Sequence, residues 1–322
     1  MPTLTHRRAV LTMICAALLW SIAGVVTRQL ESARGFELTF WRSAFNAIAL
    51  AALLVAWRGP VPLWRTFARG GRAFWLSGLC WCVMYTAFMV ALTLTTVANV
   101  LVTMALAPLF TALLARGLLG HRLALRTWVA IAAAGLGIAW MYGAQFSAGE
   151  ARHLLGTVVA LAVPLAAATN WTLLQHLHRS AAHGSARNSG QQAGVDPAGH
   201  DAAADMLAAV LLGAVLSAAL ALPLAWPLAA SAHDLGWLAL LGVVQLAIPC
   251  LMAVVAARSL SAPEASLLAL LEVLFGVAWA WIGAGEAPAT PVLAGGALVL
   301  AALAGNELPA LVRRRARPMA NA

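Results

Sequence analysis

Two charged residues stand where a charge is costly. Glu272 lies near the middle of an apolar run, about 15 Å from either end at ~1.5 Å of helix rise per residue. Arg42 lies within another, toward one end. A carboxylate at bilayer depth costs on the order of 3 kcal/mol or more, so it must face a cavity or a partner. There it can carry a proton or hold an ammonium group; the alternative is a structural hydrogen bond between helices. Phe275, Gly276 and Trp279 share its helical face at i+3, i+4 and i+7, and an aromatic wall beside a carboxylate suits a cation. Arg42 can anchor an anion or snorkel to the interface, and Asn46 lies one turn away on the same face. Tyr85, Asn99, Asn170 and Gln245 are further polar residues inside apolar runs, with Asn99 and Thr103 on one face. Each can line a pathway or bond a neighbouring helix.

These residues need helices to hold them in lipid. The 322 residues are 62% hydrophobic and 10% charged, which excludes an ordinary soluble domain. The apolar runs predict ten transmembrane helices, at 9–27, 36–57, 73–93, 97–115, 126–144, 154–177, 206–228, 235–257, 262–283 and 291–311. The net charge of +9 comes from arginines between the runs, a pattern of membrane topology and not of nucleic-acid binding. Sixteen of the twenty arginines fall in segments that would be cytoplasmic; Arg28, Arg34 and Arg152 fall outside, and Arg42 within a helix. Both termini are therefore predicted in the cytoplasm. Trp57, Trp75, Trp128, Trp140, Trp226 and Trp237 lie near helix ends as interfacial anchors.

One segment is written twice, 165 residues apart. Leu106/Leu271, Leu109/Leu274, Phe110/Phe275, Ala115/Ala280, Gly120/Gly285 and Ala124/Ala289 are identical at that offset. Trp20/Trp171 and Arg28/Arg179 match at an offset of 151. Five predicted helices fill one period, and an odd number inverts the second copy. The expected fold is an all-α integral membrane protein of two inverted five-helix repeats. They comprise residues 1–145 and 146–312, followed by a basic tail at 313–322. Pro108 is expected to kink the fourth helix, whereas its counterpart Val273 is not. The polar stretch 178–205 reads as a flexible cytoplasmic linker. Its histidines and His176 match no metal-ligand spacing, and the four cysteines read as apolar packing residues, so no metal or cofactor is implied.

Trp20-Ser21 with Gly24, Trp41-Arg42, Ala107-Pro108-Leu109 ending at Gly120, and Ala269-Leu270-Leu271-Glu272 running to Gly285-Glu286 resemble the EamA-type family of the drug/metabolite transporter superfamily. The resemblance covers roughly 9–311. It implies a central cavity between inverted halves, with the fifth and tenth helices outside it, and efflux of amino acids, other metabolites or drugs across an inner membrane. Val273 stands where the family often has Pro, and His121 where it often has Glu.

The expected function is a secondary transporter exporting small metabolites, amino acids or related zwitterions first, by alternating access with a proton as a possible coupling ion. Its expected pathway residues are Glu272, Arg42, Asn46, Tyr85, Asn99, Asn170, Gln245, Trp20, Trp171 and Trp279. The competing readings are a multidrug exporter of cationic amphiphiles and a structural or receptor-like membrane protein. The absence of a phosphate loop argues against an ATP-driven pump, and Glu272 has no catalytic partner in sequence that would make an enzyme.

Overall fold

The computed structural model describes the chain except residues 1–3, 28, 34, 96, 121–122, 144–150, 189–196, 285–288 and 316–322. The described residues are mostly helical and contain no strand. In chain order the helices begin α1 (His6–Trp20), α2 (Ala23–Thr27), α3 (Phe36–Arg58), α4 (Pro60–Arg69) and α5 (Arg72–Leu94). Next come α6 (Val97–Met104), α7 (Ala107–Leu119), α8 (Leu125–Tyr142), α9 (Ala151–Asn188) and α10 (Pro197–Ala225). Then α11 (Ala232–Leu240) runs through a π segment (Leu241–Ala247) into α12 (Ile248–Ala256), followed by α13 (Ala262–Ala269), α14 (Leu271–Ala284) and α15 (Thr290–Arg315).

Eight helical stretches among the described residues are long and apolar enough to cross a membrane. Two more, Leu125–Met141 and Thr290–Asn306, are apolar but shorter. These two belong to α8 and α15, which pack against each other. Gly137 and Gly295 permit that crossing: a Cβ on Gly137 would lie 2.7 Å from the Gly295 carbonyl oxygen. Helices α9 and α10 extend into the stretch 178–205, to Asn188 and from Pro197; residues 189–196 of that expected linker lie outside the described residues.

Three spanning helices are broken along their length, α6–α7 and α13–α14 near the middle and α1–α2 toward its C-terminal end. The α1–α2 stretch turns at Ser21-Ile22. The α6–α7 stretch turns at Ala105-Leu106, where Pro108 has no N–H to return to the Met104 carbonyl. The α13–α14 stretch turns at Leu270, which is Ala105 displaced by the same 165 residues. The second copy thus breaks without a proline at 273. Leu270 N donates to Leu267 O and Val273 N to Leu270 O, at 3.1 Å each, and these i→i+3 bonds tighten the turn.

Helix α4 was not anticipated; its residues read as a connection. Its buried Leu63 joins the main core, with Phe67 packed alongside. The start of α13 did carry a sequence signal. Ser261 and Glu264 form a reciprocal capping box, the S-x-x-E pattern of a helix N-terminus.

Candidate functional site

The breaks put helix ends beside one cavity in the interior. Glu272 sits in the first turn of α14, where the positive end of the helix dipole favours a carboxylate. Its repeat counterpart Ala107 begins α7 and lines the same cavity. Two half-helix starts therefore face one space, and only one carries a carboxyl group.

Helices α3 and α5 supply further lining. Arg42 is 3% exposed and donates from Nη2 to the Tyr85 carbonyl at 3.3 Å. The Tyr85 hydroxyl donates to Cys250 Sγ at 3.3 Å. Trp81, one turn before Tyr85, lies 5.7 Å from its ring and 6.4 Å from that of Trp171, edge to face in the latter pair. Met84 and Phe88 continue the α5 face, and Met104 and Val163 extend the lining. Gln245, in the π segment, donates from Nε2 to the carbonyl of Trp20 at the broken end of α1, 3.1 Å away. Its Oε1 has no protein partner among the described residues, nor has Ser266 Oγ. Both residues line the cavity.

The cavity offers about 140 Å³ to the centre of a water-sized sphere, far above the ~10–15 Å³ that one water needs. Arg42 and Glu272 both line it and attract each other electrostatically, with no direct ion pair between them. The arrangement is a mostly apolar, aromatic pocket with one positive and one negative group on its wall. Such a pocket can orient a small amphipathic molecule by its charged ends.

Six of the residues singled out in the sequence come together here: Glu272, Arg42, Tyr85, Gln245, Trp20 and Trp171. Asn46 is fully buried one turn after Arg42, away from the lining. Asn170 Oδ1 accepts from Ser77 Oγ at 2.7 Å and ties α9 to α5. Trp279 Nε1 donates to Ser21 Oγ at 3.0 Å and pins α14 to the break after α1. The side chain of Asn99 lies outside the described residues. The α5 residues Trp81, Met84 and Phe88 were missed, although Tyr85 at i−4 and i+3 spacing points to two of them.

Both ends of the bundle are tied across the chain halves. At one end, fully buried Asp234 accepts from the backbone amides of Glu31, Ser32 and Ala33 at 2.8–2.9 Å and from Ser32 Oγ at 2.6 Å. Beside it, Glu37 Oε1 accepts from the amides of Ala229 and Ala230, each at 2.8 Å. At the other end, His6 Nε2 meets Glu264 Oε1 at 3.1 Å and Ser259 Oγ donates to the Leu4 carbonyl at 2.8 Å, while within the second half Ala262 N donates to Gln175 Oε1 at 3.1 Å. No group of three or more His, Cys, Asp or Glu able to hold a metal occurs among the described residues.

Helices of this length and apolarity around an interior cavity define a multi-pass membrane protein. Residues 7–143 match the model of the EamA-like transporter family, so this stretch of the chain is similar to that family. No curated protein matches the sequence. Among solved structures, one described as "Crystal structure of protein" shares the fold with a TM-score of 0.74. It is 18% identical, and the alignment covers 97% of this chain and 99% of the other.

Proposed function

We propose that this chain exports small zwitterionic metabolites, amino acids first, across the inner membrane by alternating access. One observation carries the reading: a single carboxylate and a single guanidinium, not directly paired, line one aromatic-walled cavity. Glu272 and the neighbouring π faces suit a substrate ammonium, and Arg42 suits its carboxylate. Glu272 is also the group that would bind a proton when the substrate leaves.

The ten-helix inverted repeat belongs to this proposal. The 165-residue interval between the α6–α7 and α13–α14 breaks supports it, as does the pairing of α8 with α15 away from the cavity lining. With both termini cytoplasmic, the Asp234 and Glu37 contacts would close the outer end and the His6–Glu264 contact the inner end. Rocking of the halves would release one set at a time.

The test is uptake into reconstituted vesicles under an imposed pH gradient, with a panel of amino acids. Wild-type protein is expected to move at least one of them in response to the gradient, and Glu272→Gln to remove that response while the protein stays folded. Undiminished gradient-driven transport in Glu272→Gln would take this carboxylate out of the mechanism. The second reading, export of cationic amphiphiles, is favoured by the methionine and aromatic lining around Glu272. It requires transport of a lipophilic cation in the same vesicles, indifferent to Arg42→Gln.

A further inference from the structure

The segment from Trp57 to Trp75 has a composition unlike its surroundings: four arginines (58, 65, 69, 72), three tryptophans (57, 64, 75) and no Asp or Glu. It connects the end of α3 to the start of α5, both long enough to span, so α4 lies at the boundary between membrane and water. One face of α4 is occupied. Leu63 is 7% exposed in the core, and Phe67 meets the Phe74 ring at 5.4 Å.

The opposite face is bare. Trp64 is 74% exposed and Val61 57%, with Ala68 exposed on the same side at i+4 from Trp64. Trp57 and Trp75 flank it at about half exposure, and the Arg58 guanidinium lies over the Trp57 ring at 5.1 Å. Among the described residues Arg65, Arg69 and Arg72 are exposed and make no ion pair. Exposed tryptophans at a helix boundary belong at headgroup depth, where the ring is half in hydrocarbon and half wet. A neutral headgroup would accommodate Trp64 and leave three positive charges without counter-ions. Guanidinium groups bind phosphate oxygens through paired N–H donors, and a surface of net negative charge attracts each arginine further.

We infer that this face is a docking surface for anionic phospholipid, with Arg65, Arg69 and Arg72 holding the headgroup phosphate and Trp64 seated at the boundary between headgroups and acyl chains. The site is separate from the transport cavity, and none of its residues lines that cavity.

The experiment is native mass spectrometry of the full chain from mixed micelles with equal phosphatidylglycerol and phosphatidylcholine. Wild-type protein is expected to retain phosphatidylglycerol over phosphatidylcholine by roughly tenfold. The triple variant Arg65→Gln, Arg69→Gln, Arg72→Gln should fall to near parity. A charge-matched control, Arg7→Gln, Arg8→Gln, Arg116→Gln, changes three exposed arginines elsewhere and should keep the preference. Trp64→Ser should weaken retention of both lipids. Equal loss in the two triple variants would mean diffuse charge and overturn the site, as would a wild-type protein with no preference. Displacement of the lipid by equimolar inorganic phosphate would reduce the site to a bare anion contact and also overturn it. The three single Arg→Gln variants are measured alongside, so a triple variant that fails to fold still leaves the outcome decided.

Discussion

Gly242 places the π segment against α3 at the residue that supplies Arg42. A Cβ at this position would lie 2.5 Å from Phe45 Cβ and 2.8 Å from both the Arg42 carbonyl oxygen and the Asn46 amide nitrogen. Ordinary contact begins near 3.4 Å, so Gly242→Ala requires the two segments to part by about 0.6–0.9 Å. Two of the opposing atoms are backbone and the third is a Cβ, so no flexible side chain can yield instead. Overpacking of this kind costs about 1–3 kcal/mol. Gln245 lies three residues on and moves with the displaced segment relative to Arg42. Each ~1.4 kcal/mol of the penalty borne by the occupied state weakens affinity tenfold. The expected result is a loss of about 1–3 kcal/mol in denaturant titration of the purified protein, with a raised KM for whichever substrate the vesicle assay identifies. Gly236→Ala is the control, because nothing lies within 4 Å of its added Cβ. That change should be neutral or stabilising by up to ~1 kcal/mol. If Gly242→Ala matches Gly236→Ala in both stability and KM, close backbone approach does not position this site.

Two other changes probe the ends and the flank of the bundle. Asp234→Asn replaces one acceptor oxygen by a donor facing amide N–H groups, so hydrogen exchange at Glu31, Ser32 and Ala33 should rise roughly tenfold or more; unchanged protection would mean that the carboxylate does not hold that loop. Gly295→Val drives a side chain into the Gly137 carbonyl and Met141, and should destabilise the protein by about 1–3 kcal/mol without altering KM. An altered KM with intact stability would place the α8–α15 pair in the transport site after all.

Much of the cavity was legible because charge and aromaticity inside apolar runs are conspicuous. Glu272, Arg42, Tyr85, Gln245, Trp20 and Trp171 stood out by type and all line it. Asn170 and Trp279 stood out equally and lie elsewhere, since a polar atom in a helix serves a neighbour as readily as a ligand. Asn170 found Ser77, and Trp279 found Ser21. Trp81 and Phe88 escaped notice because an aromatic residue in an apolar helix has the same periodicity whether it faces lipid, core or cavity. Asp234 and Glu37 escaped because near a helix end a carboxylate needs no explanation. Their partners are backbone amides about 200 residues away, which leave no mark in sequence.

The amino-acid sequence by itself determined that the chain crosses a membrane as helices, which segments repeat, and that a carboxylate would be carried at 272 in one copy and not the other. Those properties follow from hydrophobic transfer and helical periodicity, which are local. Tertiary structure alone decided that the breaks at Ala105-Leu106 and Leu270 bring two half-helix starts to one cavity. It also decided that Arg42 lines the same cavity as Glu272, and which helices remain long enough to span. These depend on how closely backbones approach, as at Gly242, and on hydrogen bonds between segments far apart in the chain, and neither is encoded in any single stretch of residues.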